Sequence, residues 1–338
     1  MGRLLRIWLQ LGRFRLVLRM TDVFDFDILR NVADCGRSTE FRMSPRLTIY
    51  FIVEPPRYEL MACYLAGSLR QQFGRTVALI GYCPDDKIAT VSQDVRAVLA
   101  KLECEVRPFK VADRFTPDYP HGNKILATLE PRDTEFSAFF DSDILCLRPN
   151  AVENIVKDGH VSLTPAASMV WGNGKTWHMI YETCGMPLPE GRVKLMRQKG
   201  DRERLPYFSS GLFSFPEQHR NVQGHSFPEV WMDVAQTIDR NENIPGKRPY
   251  LDQISLPLAI QKSGLGWNLL PEEQHFILGG SLRGEPLPEG REIFTVHYRK
   301  WEILKEVGLA KQGKRMLEAQ AGVRRIDQIS KTDQPSTA

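Results

Sequence analysis

Apolar and amphipathic stretches alternate over residues 47–140, and this pattern predicts regular secondary structure. Residues 47–53 form a continuous run of aliphatic, β-branched and aromatic side chains that ends at Pro55-Pro56, which is typical of a strand buried on both faces. Residues 58–72 combine helical spacing of apolar positions with good helix formers, which predicts a helix. The alternation continues with predicted strands at 76–82, 104–108 and 136–140 and predicted helices at 87–101 and 121–129. Strands that alternate with helices predict an α/β fold with a doubly wound, mainly parallel sheet.

The pattern loosens after residue 150, where prolines and glycines interrupt the apolar runs. Nine prolines fall between residues 165 and 257. Proline and glycine at this density predict a loop-rich C-terminal half. Ligands of doubly wound sheets bind beyond the carboxyl ends of the strands, so we expect these loops to shape a site there.

The composition is that of a globular protein with an uneven charge distribution. Hydrophobic residues make up 42% and charged residues 25% of the 338 residues, which excludes a fibrous or largely disordered chain. The formal net charge is +4, but residues 1–42 hold eight Arg against five acidic residues and account for +3 of it. The rest of the chain is nearly neutral, which argues against a nucleic-acid partner, because such a partner needs a concentrated basic surface.

Residues 3–20 form a basic arm that contains five Arg and no acidic residue. Its longest uncharged run, residues 7–12, is far shorter than the ~20 residues that a membrane-spanning helix needs. Two interpretations stay open. In the first, residues 1–20 form a basic amphipathic helix that holds a cytoplasmic protein peripherally at the inner face of a membrane. In the second, which we favour, residues 1–42 are not native and the natural start is Met43.

The six cysteines are distributed singly, with no C-x-x-C pair and no His at zinc-ligand spacing. Several lie within apolar runs, as Cys146 does in residues 144–147. This distribution predicts reduced thiols in the core and therefore a cytoplasmic protein.

Two carboxylates, Asp141 and Asp143, follow the predicted strand at 136–140 and precede the apolar residues 144–147. Alternate residues of a strand share a face, so both carboxylates can point into one site at the sheet edge. Buried carboxylates are costly unless they bind something, and without Cys or a dense His cluster they suit Mg²⁺ or Mn²⁺. Because such a cation completes its ligand shell with phosphate oxygens, the segment predicts a metal site for a phosphate-bearing ligand.

Several further segments occur in an order that is similar to a known family. They are residues 53–58, 123–127, 140–143, 207–213, 251–253 and 296–301. With these motifs the chain resembles the GT-A glycosyltransferases over residues 46–301, in particular the retaining group that includes glycogenin and bacterial lipooligosaccharide galactosyltransferases. The resemblance implies a Rossmann-like GT-A domain at 43–305, preceded by the arm at 1–42 and followed by a C-terminal helix and polar tail at 306–338.

The resemblance also implies the ligands of the metal and the contacts of the diphosphate. Asp143 and His297 would bind Mn²⁺ or Mg²⁺ directly, and Asp141 would reach both the metal and the donor ribose. A cation at the diphosphate would come from Arg299 or Lys300. The choice stays open because the closing motif His-Tyr-Arg-Lys-Trp lacks the family's usual Gly and Pro spacer.

The remaining implied contacts concern the base and the transferred sugar. Tyr58 would stack on the nucleotide base, and Glu54 would accept a hydrogen bond from it. Lys124 would supply a cation near the donor. The two residues that would face the transferred sugar and the acceptor are Asp252 and Gln253. The chain departs from the family at Ser209, where an Asn is usual, and this removes a longer amide from the sugar-facing site.

The expected function is a metal-dependent hexosyltransferase that moves a sugar from a nucleoside-diphosphate sugar, a UDP-sugar in particular, to a glycan or lipid-linked acceptor with retention. An inverting reaction, with Asp252 as the base for the acceptor hydroxyl, stays open. One alternative is a haloacid-dehalogenase-type phosphatase with Asp141 as nucleophile and Asp143 as general acid. That family's paired-Asp motif late in the chain is not found after residue 150. A second alternative is a non-catalytic relative that binds nucleotide-sugars or glycans.

Overall fold

The computed structural model describes residues 10–11, 14–15, 45–169 and 171–323. The chain divides into two compact units, residues 1–44 and residues 45–338. In the first unit, the short strands β1 (Gln10–Leu11) and β2 (Phe14–Arg15) pair in antiparallel fashion. The rest of the basic arm, on which both interpretations of residues 1–42 depend, lies outside the described residues.

The first half of the second unit forms the parallel part of the central sheet, as the alternation predicts. Its four strands are β3 (Leu47–Ile52), β4 (Val77–Pro84), β5 (Cys104–Phe109) and β6 (Phe136–Phe140). The register pairs Leu47 with both Val77 and Phe136, so β3 lies between β4 and β6. The helices of this half are α1 (Tyr58–Phe73), α2 (Gln93–Lys101) and α3 (Asn123–Thr128).

The predicted helix at 87–101 is wrong at its start. A single 3-10 turn occupies Ile88–Thr90, and α2 begins only at Gln93. The backbone of Val91 is extended and its side chain is buried, while the N–H of Ser92 donates to Glu59 at 3.0 Å. These tertiary contacts interrupt the helix where the local spacing alone would continue it.

The second half extends the same sheet with a strand that reverses direction. Its strands are β8 (His160–Pro165), β9 (Phe208–Pro216) and β10 (Gly266–Leu269). The order across the seven strands is β10-β8-β9-β6-β3-β4-β5, and β9 runs antiparallel to both of its neighbours. This confirms the α/β class with a mainly parallel sheet.

The second half contains more regular structure than its prolines suggest. Its helices are α4 (Gly174–Thr183), α5 (Phe227–Arg240) and α6 (Leu251–Lys262). Pro228 lies in the first turn of α5, where its missing N–H costs nothing. Pro257 lies inside α6, which is buried almost all round and therefore shows no polar–apolar period.

A small second sheet closes the domain. It consists of β7 (Ile144–Cys146), β11 (Phe276–Ile277) and β12 (Thr295–His297) in the order β11-β12-β7. Two helices follow, α7 (Trp301–Glu306) and α8 (Ala310–Ala321). Helix α8 packs on α1 where Gly67 faces Leu317, since a Cβ on Gly67 would lie 3.1 Å from the Leu317 Cα. In this sheet β12, the last strand of the domain, pairs with β7, which directly follows β6 and the intervening turn.

Both faces of the central sheet are covered, which explains the unbroken apolar runs. On β3, Ile49 and Phe51 belong to one apolar cluster, while Tyr50 and Ile52 belong to the cluster on the opposite face. No helix in the described ranges is long and apolar enough to cross a membrane.

None of the five cysteines in the described part of the chain is in a disulfide. Cys63, Cys83, Cys104 and Cys146 are buried and Cys184 is half-buried. This matches the sequence-based expectation of unpaired core thiols, whereas Cys35 lies outside the described residues.

Candidate active site

The Asp141-Ser142-Asp143 segment is a tight turn between β6 and β7. The N–H of Asp141 donates to the Gly211 carbonyl at 2.7 Å, and the N–H of Ile144 donates to the Asp141 carbonyl at 3.0 Å. The hydroxyl of Ser142 donates to the Ile52 carbonyl at the end of β3. The turn therefore lies against the carboxyl ends of two parallel strands, where ligands of such sheets bind.

His297 lies next to this turn because β12 pairs antiparallel with β7, with His297 opposite Ile144. Its Nε2 is 3.0 Å from Asp143 Oδ1 and 3.8 Å from Asp141 Oδ2. One ligand atom from each of the three side chains lies within 4.8 Å of the others. The three residues that the sequence predicts as metal ligands are thus brought together.

Burial and the neighbouring opposite charges shift the pKa values of Asp141, Asp143 and His297 in opposite directions. Burial raises the pKa of the Asp143 carboxyl, but His297 and its hydrogen bond outweigh burial and hold that pKa below its usual value. Burial likewise lowers the pKa of His297, but Asp143 outweighs it and keeps that pKa above its usual value. At Asp141 burial prevails and raises the pKa despite Lys124 and His297. A proton on His297 and a metal cation would therefore compete for the same carboxylates.

The donor set fits a divalent cation. Two carboxylates and one imidazole, with no thiolate among them, match the oxygen-rich ligation of Mn²⁺ or Mg²⁺ better than a structural zinc site. The carboxylates of Asp141 and Asp143 repel each other inside a largely buried turn, and a cation between them would relieve that repulsion.

Lys124, near the start of α3, bridges the half-buried carboxylate of Asp141 and the buried carboxylate of Asp252. Its Nζ is 3.0 Å from Asp141 Oδ1, 3.2 Å from Asp252 Oδ2 and 3.3 Å from the Ser210 carbonyl. Burial lowers the pKa of Lys124, but the two carboxylates outweigh burial and raise it above its usual value. Lys124 is therefore a fixed cation that links the Asp141–Asp143 turn to helix α6.

Asp252 has donors at both carboxylate oxygens. Ser210 Oγ donates to Oδ2 at 2.5 Å in addition to Lys124, and the Tyr119 hydroxyl lies 3.5 Å from Oδ1. Its neighbour Gln253 accepts a hydrogen bond from the Tyr207 hydroxyl at 2.7 Å through its side-chain oxygen. Both residues lie in the first turn of α6 and line the same cleft.

Glu54, which follows β3, and Tyr58, the first residue of α1, differ in their availability to a ligand. Glu54 forms an ion pair with Lys87 and accepts a hydrogen bond from Asn123 Nδ2 at 3.0 Å. Tyr58 is 41% exposed, and the Arg57 guanidinium lies 5.8 Å from its ring centroid. Tyr58 therefore presents an accessible aromatic surface, whereas Glu54 already has two partners.

Strand β9 supplies the floor of the site. Ser209 lines the cleft, and Gly211 faces the Asp141–Asp143 turn. A Cβ on Gly211 would lie 2.8 Å from both Asp141 Oδ2 and His275 Cε1, and 3.1 Å from His297 Cε1. Because Gly211 has no side chain, Asp141, His275 and His297 can all approach it closely.

Arg299 and Lys300 are separated by the fold. Arg299 lines the cleft and has a left-handed backbone with φ of 58°, and its carbonyl accepts a hydrogen bond from Arg57 Nη2 at 2.8 Å. Lys300 does not line the cleft and instead precedes helix α7 as its N-cap residue.

The cleft has a volume of about 730 Å³ and gathers every predicted site residue except Lys300. Two further residues of the site, Ser210 and His275, are not identifiable from the sequence. His275 is fully buried, and its Nε2 lies 3.1 Å from His297 Nδ1. Burial first, and then the charge of His297, place the pKa of His275 well below its usual value. Its sequence context, Gln274-His275-Phe276, carries no motif that would have revealed it.

A family match and similar solved structures assign this fold and cleft to a glycosyltransferase of the GT-A class. Residues 49–264 match the Rhodobacterales glycosyltransferase domain family, and this match covers more than half of the chain. The protein belongs to that family. Membership decides against the phosphatase alternative.

Solved structures of the galactosyltransferase LgtC are similar to this chain in fold. The complex of LgtC with donor and acceptor sugar analogs has 14% sequence identity and a TM-score of 0.53, and the match covers 82% of this chain and 97% of LgtC. A structure of an active-site mutant of LgtC has 13% identity and a TM-score of 0.54, with 84% and 99% covered. No curated protein matches the chain in a sequence comparison.

Proposed function

We propose that the protein transfers a hexose from a nucleoside-diphosphate sugar, a UDP-sugar in particular, to a hydroxyl of a glycan or lipid-linked acceptor. We further propose that it requires Mn²⁺ or Mg²⁺ held by Asp141, Asp143 and His297. The observation that carries the proposal is this Asp-Asp-His cluster, which lies at the carboxyl ends of the strands in a cleft large enough for a nucleotide-sugar.

The chemistry of the leaving group explains the charges around the cleft. A nucleoside diphosphate gains negative charge as the glycosidic bond breaks, and a bound divalent cation would stabilise that charge as a Lewis acid. Arg299 would add a fixed cation on the side of the cleft next to His297. Tyr58 would hold the base by stacking on its exposed ring.

The partners of Glu54 assign it a supporting role in the proposed site. Lys87 and Asn123 already bind the two carboxylate oxygens of Glu54. These contacts would mainly fix the position of the segment that precedes α1. A direct hydrogen bond to the base would use the lone pairs that these contacts leave over.

The hydrogen bonds of Asp252 support retention. An inverting enzyme needs a free base to accept the proton of the acceptor hydroxyl. Asp252 instead accepts from Ser210 and is paired with Lys124, so its carboxylate is committed to holding the site together. In a retaining reaction the leaving phosphate can take that proton. Gln253 and Ser209 would then face the transferred sugar.

A donor panel tests the proposed function. The purified protein is incubated with UDP-, GDP-, ADP- and CDP-linked hexoses, with Mn²⁺, Mg²⁺ or EDTA, and nucleotide release and thermal stabilisation are measured. We expect one UDP-hexose to be hydrolysed slowly with Mn²⁺ and not with EDTA, with the anomeric configuration of the released sugar matching that of the donor. Stabilisation without any release would instead indicate a non-catalytic binding protein, and release that EDTA leaves unchanged would contradict the metal requirement.

Arg299 and Lys300 form a matched pair for a test of the diphosphate contact. A hydrogen bond to a charged group contributes about 1.5–3 kcal/mol, so Arg299→Ala is expected to lower kcat/KM for the donor by roughly 10- to 100-fold. Lys300→Ala removes a neighbouring charge outside the cleft and is expected to change kcat/KM by less than about threefold. The reverse order in steady-state kinetics would assign the contact to Lys300.

A further inference from the structure

A second histidine lies directly behind the proposed metal ligand. The ring of His275 meets that of His297 edge-on, with centroids 5.1 Å apart and an angle of 72° between the ring planes. His275 Nε2 is 3.1 Å from His297 Nδ1, while His297 Nε2 faces the carboxylate of Asp143 at 3.0 Å. The three groups thus form a chain that runs from a buried ring to the Asp141–Asp143 turn.

The backbone and the packing fix both rings. His275 directly precedes β11, which pairs in parallel with β12 so that Ile277 lies opposite His297. The N–H of Leu278 donates to the His297 carbonyl at 2.9 Å, and the N–H of His275 donates to the Glu272 carbonyl at 3.0 Å.

The burial of His275 carries a free-energy cost that side-chain packing alone does not explain. It is fully buried, and its Nδ1 finds no hydrogen-bond partner within the described part of the chain. A buried polar atom without a partner calls for an explanation, because an aromatic hydrocarbon ring would fill the same space without that loss. The explanation that the geometry offers is the contact of the opposite ring nitrogen with His297.

A histidine that binds a metal through Nε2 must present a lone pair there and carry its remaining proton on Nδ1. We propose that His275 is a positioning residue whose Nε2 accepts the Nδ1–H of His297 and thereby holds His297 Nε2 toward the cation. The inference rests on the proposed metal site at Asp141, Asp143 and His297. It assigns to His275 no contact with the substrate or with the metal.

Two substitutions separate this role from packing. His275→Phe keeps a planar ring but removes the acceptor, whereas the side-chain oxygen of His275→Gln reaches about as far as Nε2 and can still accept. Mn²⁺ binding is measured without nucleotide, from the loss of the electron paramagnetic resonance signal of free Mn²⁺. Because loss of such an outer-shell partner weakens metal binding about 10- to 100-fold, we expect a loss of that size in His275→Phe and recovery of most of it in His275→Gln.

Thermal unfolding of both metal-free variants shows whether they fold. Wild-type affinity in folded His275→Phe would overturn the proposal. Equal losses in the Phe and Gln variants would also overturn it, since they would indicate a packing effect alone.

Nuclear magnetic resonance provides a readout that depends on neither activity nor affinity. In protein labelled with ¹⁵N at histidine, an N–H···N hydrogen bond gives a scalar coupling between the two ring nitrogens, and the directly bonded proton identifies the donor. In protein saturated with diamagnetic Mg²⁺, which occupies the lone pair of His297 Nε2, we expect that coupling between His297 and His275, with the proton on His297 Nδ1. A proton on His275 Nε2, or the lack of a coupling, would overturn the proposal. If the wild-type protein bound neither Mn²⁺ nor Mg²⁺, the proposed metal site would fail and the role of His275 with it, whereas unchanged affinity in His275→Phe would contradict the role of His275 alone.

Discussion

Replacement of Asp143 by Asn is expected to abolish donor hydrolysis and sugar transfer while leaving the fold intact. Asp143 lies 3.0 Å from His297 and supplies one of the two carboxylates of the proposed metal site. Asn has the same shape but no charge, so it binds a hard cation weakly. Lewis-acid stabilisation contributes several kcal/mol, so turnover should fall by at least about 10³-fold.

The matched control is Asp201→Asn, which makes the same chemical change at an exposed carboxylate that pairs with Lys194. It should leave turnover and Mn²⁺ binding unchanged, because an exposed ion pair contributes little. Nucleotide release, sugar transfer and Mn²⁺ binding are measured for both variants, together with circular dichroism. Near-normal turnover in Asp143→Asn would refute the metal assignment.

Gly211→Ala is the second substitution with a large expected effect, although it adds only one methyl group. The new Cβ would lie 2.8 Å from both Asp141 Oδ2 and His275 Cε1. Strand β9 lies in the middle of the sheet, so its backbone cannot move away without loss of pairing to β6 and β8. Overpacking of this kind destabilises by typically 1–3 kcal/mol, and we expect about that loss in the free energy of unfolding. Mn²⁺ affinity should fall as well, because the methyl group displaces the residues that hold the cation.

Gly174→Ala is the control for this change. Gly174 is the first residue of α4, and a Cβ there meets nothing within 4 Å. Chemical denaturation and Mn²⁺ titration of both variants should show a loss only for Gly211→Ala, with Gly174→Ala unchanged or more stable by up to about 1 kcal/mol. Equal behaviour of the two variants would mean that the close approach at Gly211 has no influence on the site.

The regular part of the fold is largely predictable from local sequence patterns. The strands at β3, β4, β5 and β6 and the helix α1 are confirmed within one or two residues, because strands buried on both faces are continuous apolar runs. The prediction was wrong at the start of α2, where contacts of Val91 and Ser92 with the rest of the domain override local spacing. It was incomplete for α6, since a helix buried all round shows no amphipathic period.

Some residues of the candidate site are likewise identifiable from the local sequence, whereas others are identifiable only from the tertiary structure. Asp141 and Asp143 are identifiable because a short polar turn interrupts two apolar strands. The different environments of Arg299 and Lys300 cannot be identified in this way. The two residues are adjacent in the sequence, and only the turn of the backbone after β12 places Arg299 in the cleft and Lys300 outside it. His275 is invisible for the same reason, because only the pairing of β11 with β12 brings it to His297.

The sequence by itself determined the α/β class, the order of the first strands and helices, and the carboxylate turn at Asp141 and Asp143. These features depend on residues that are close together along the chain, where side-chain period and strand ends leave a direct mark. Tertiary structure alone decided which nitrogen of His297 faces the carboxylates, that His275 lies behind it, and that Lys124 bridges Asp141 and Asp252. Each of these contacts joins segments that only strand pairing and helix packing bring together, and no local pattern specifies such pairing.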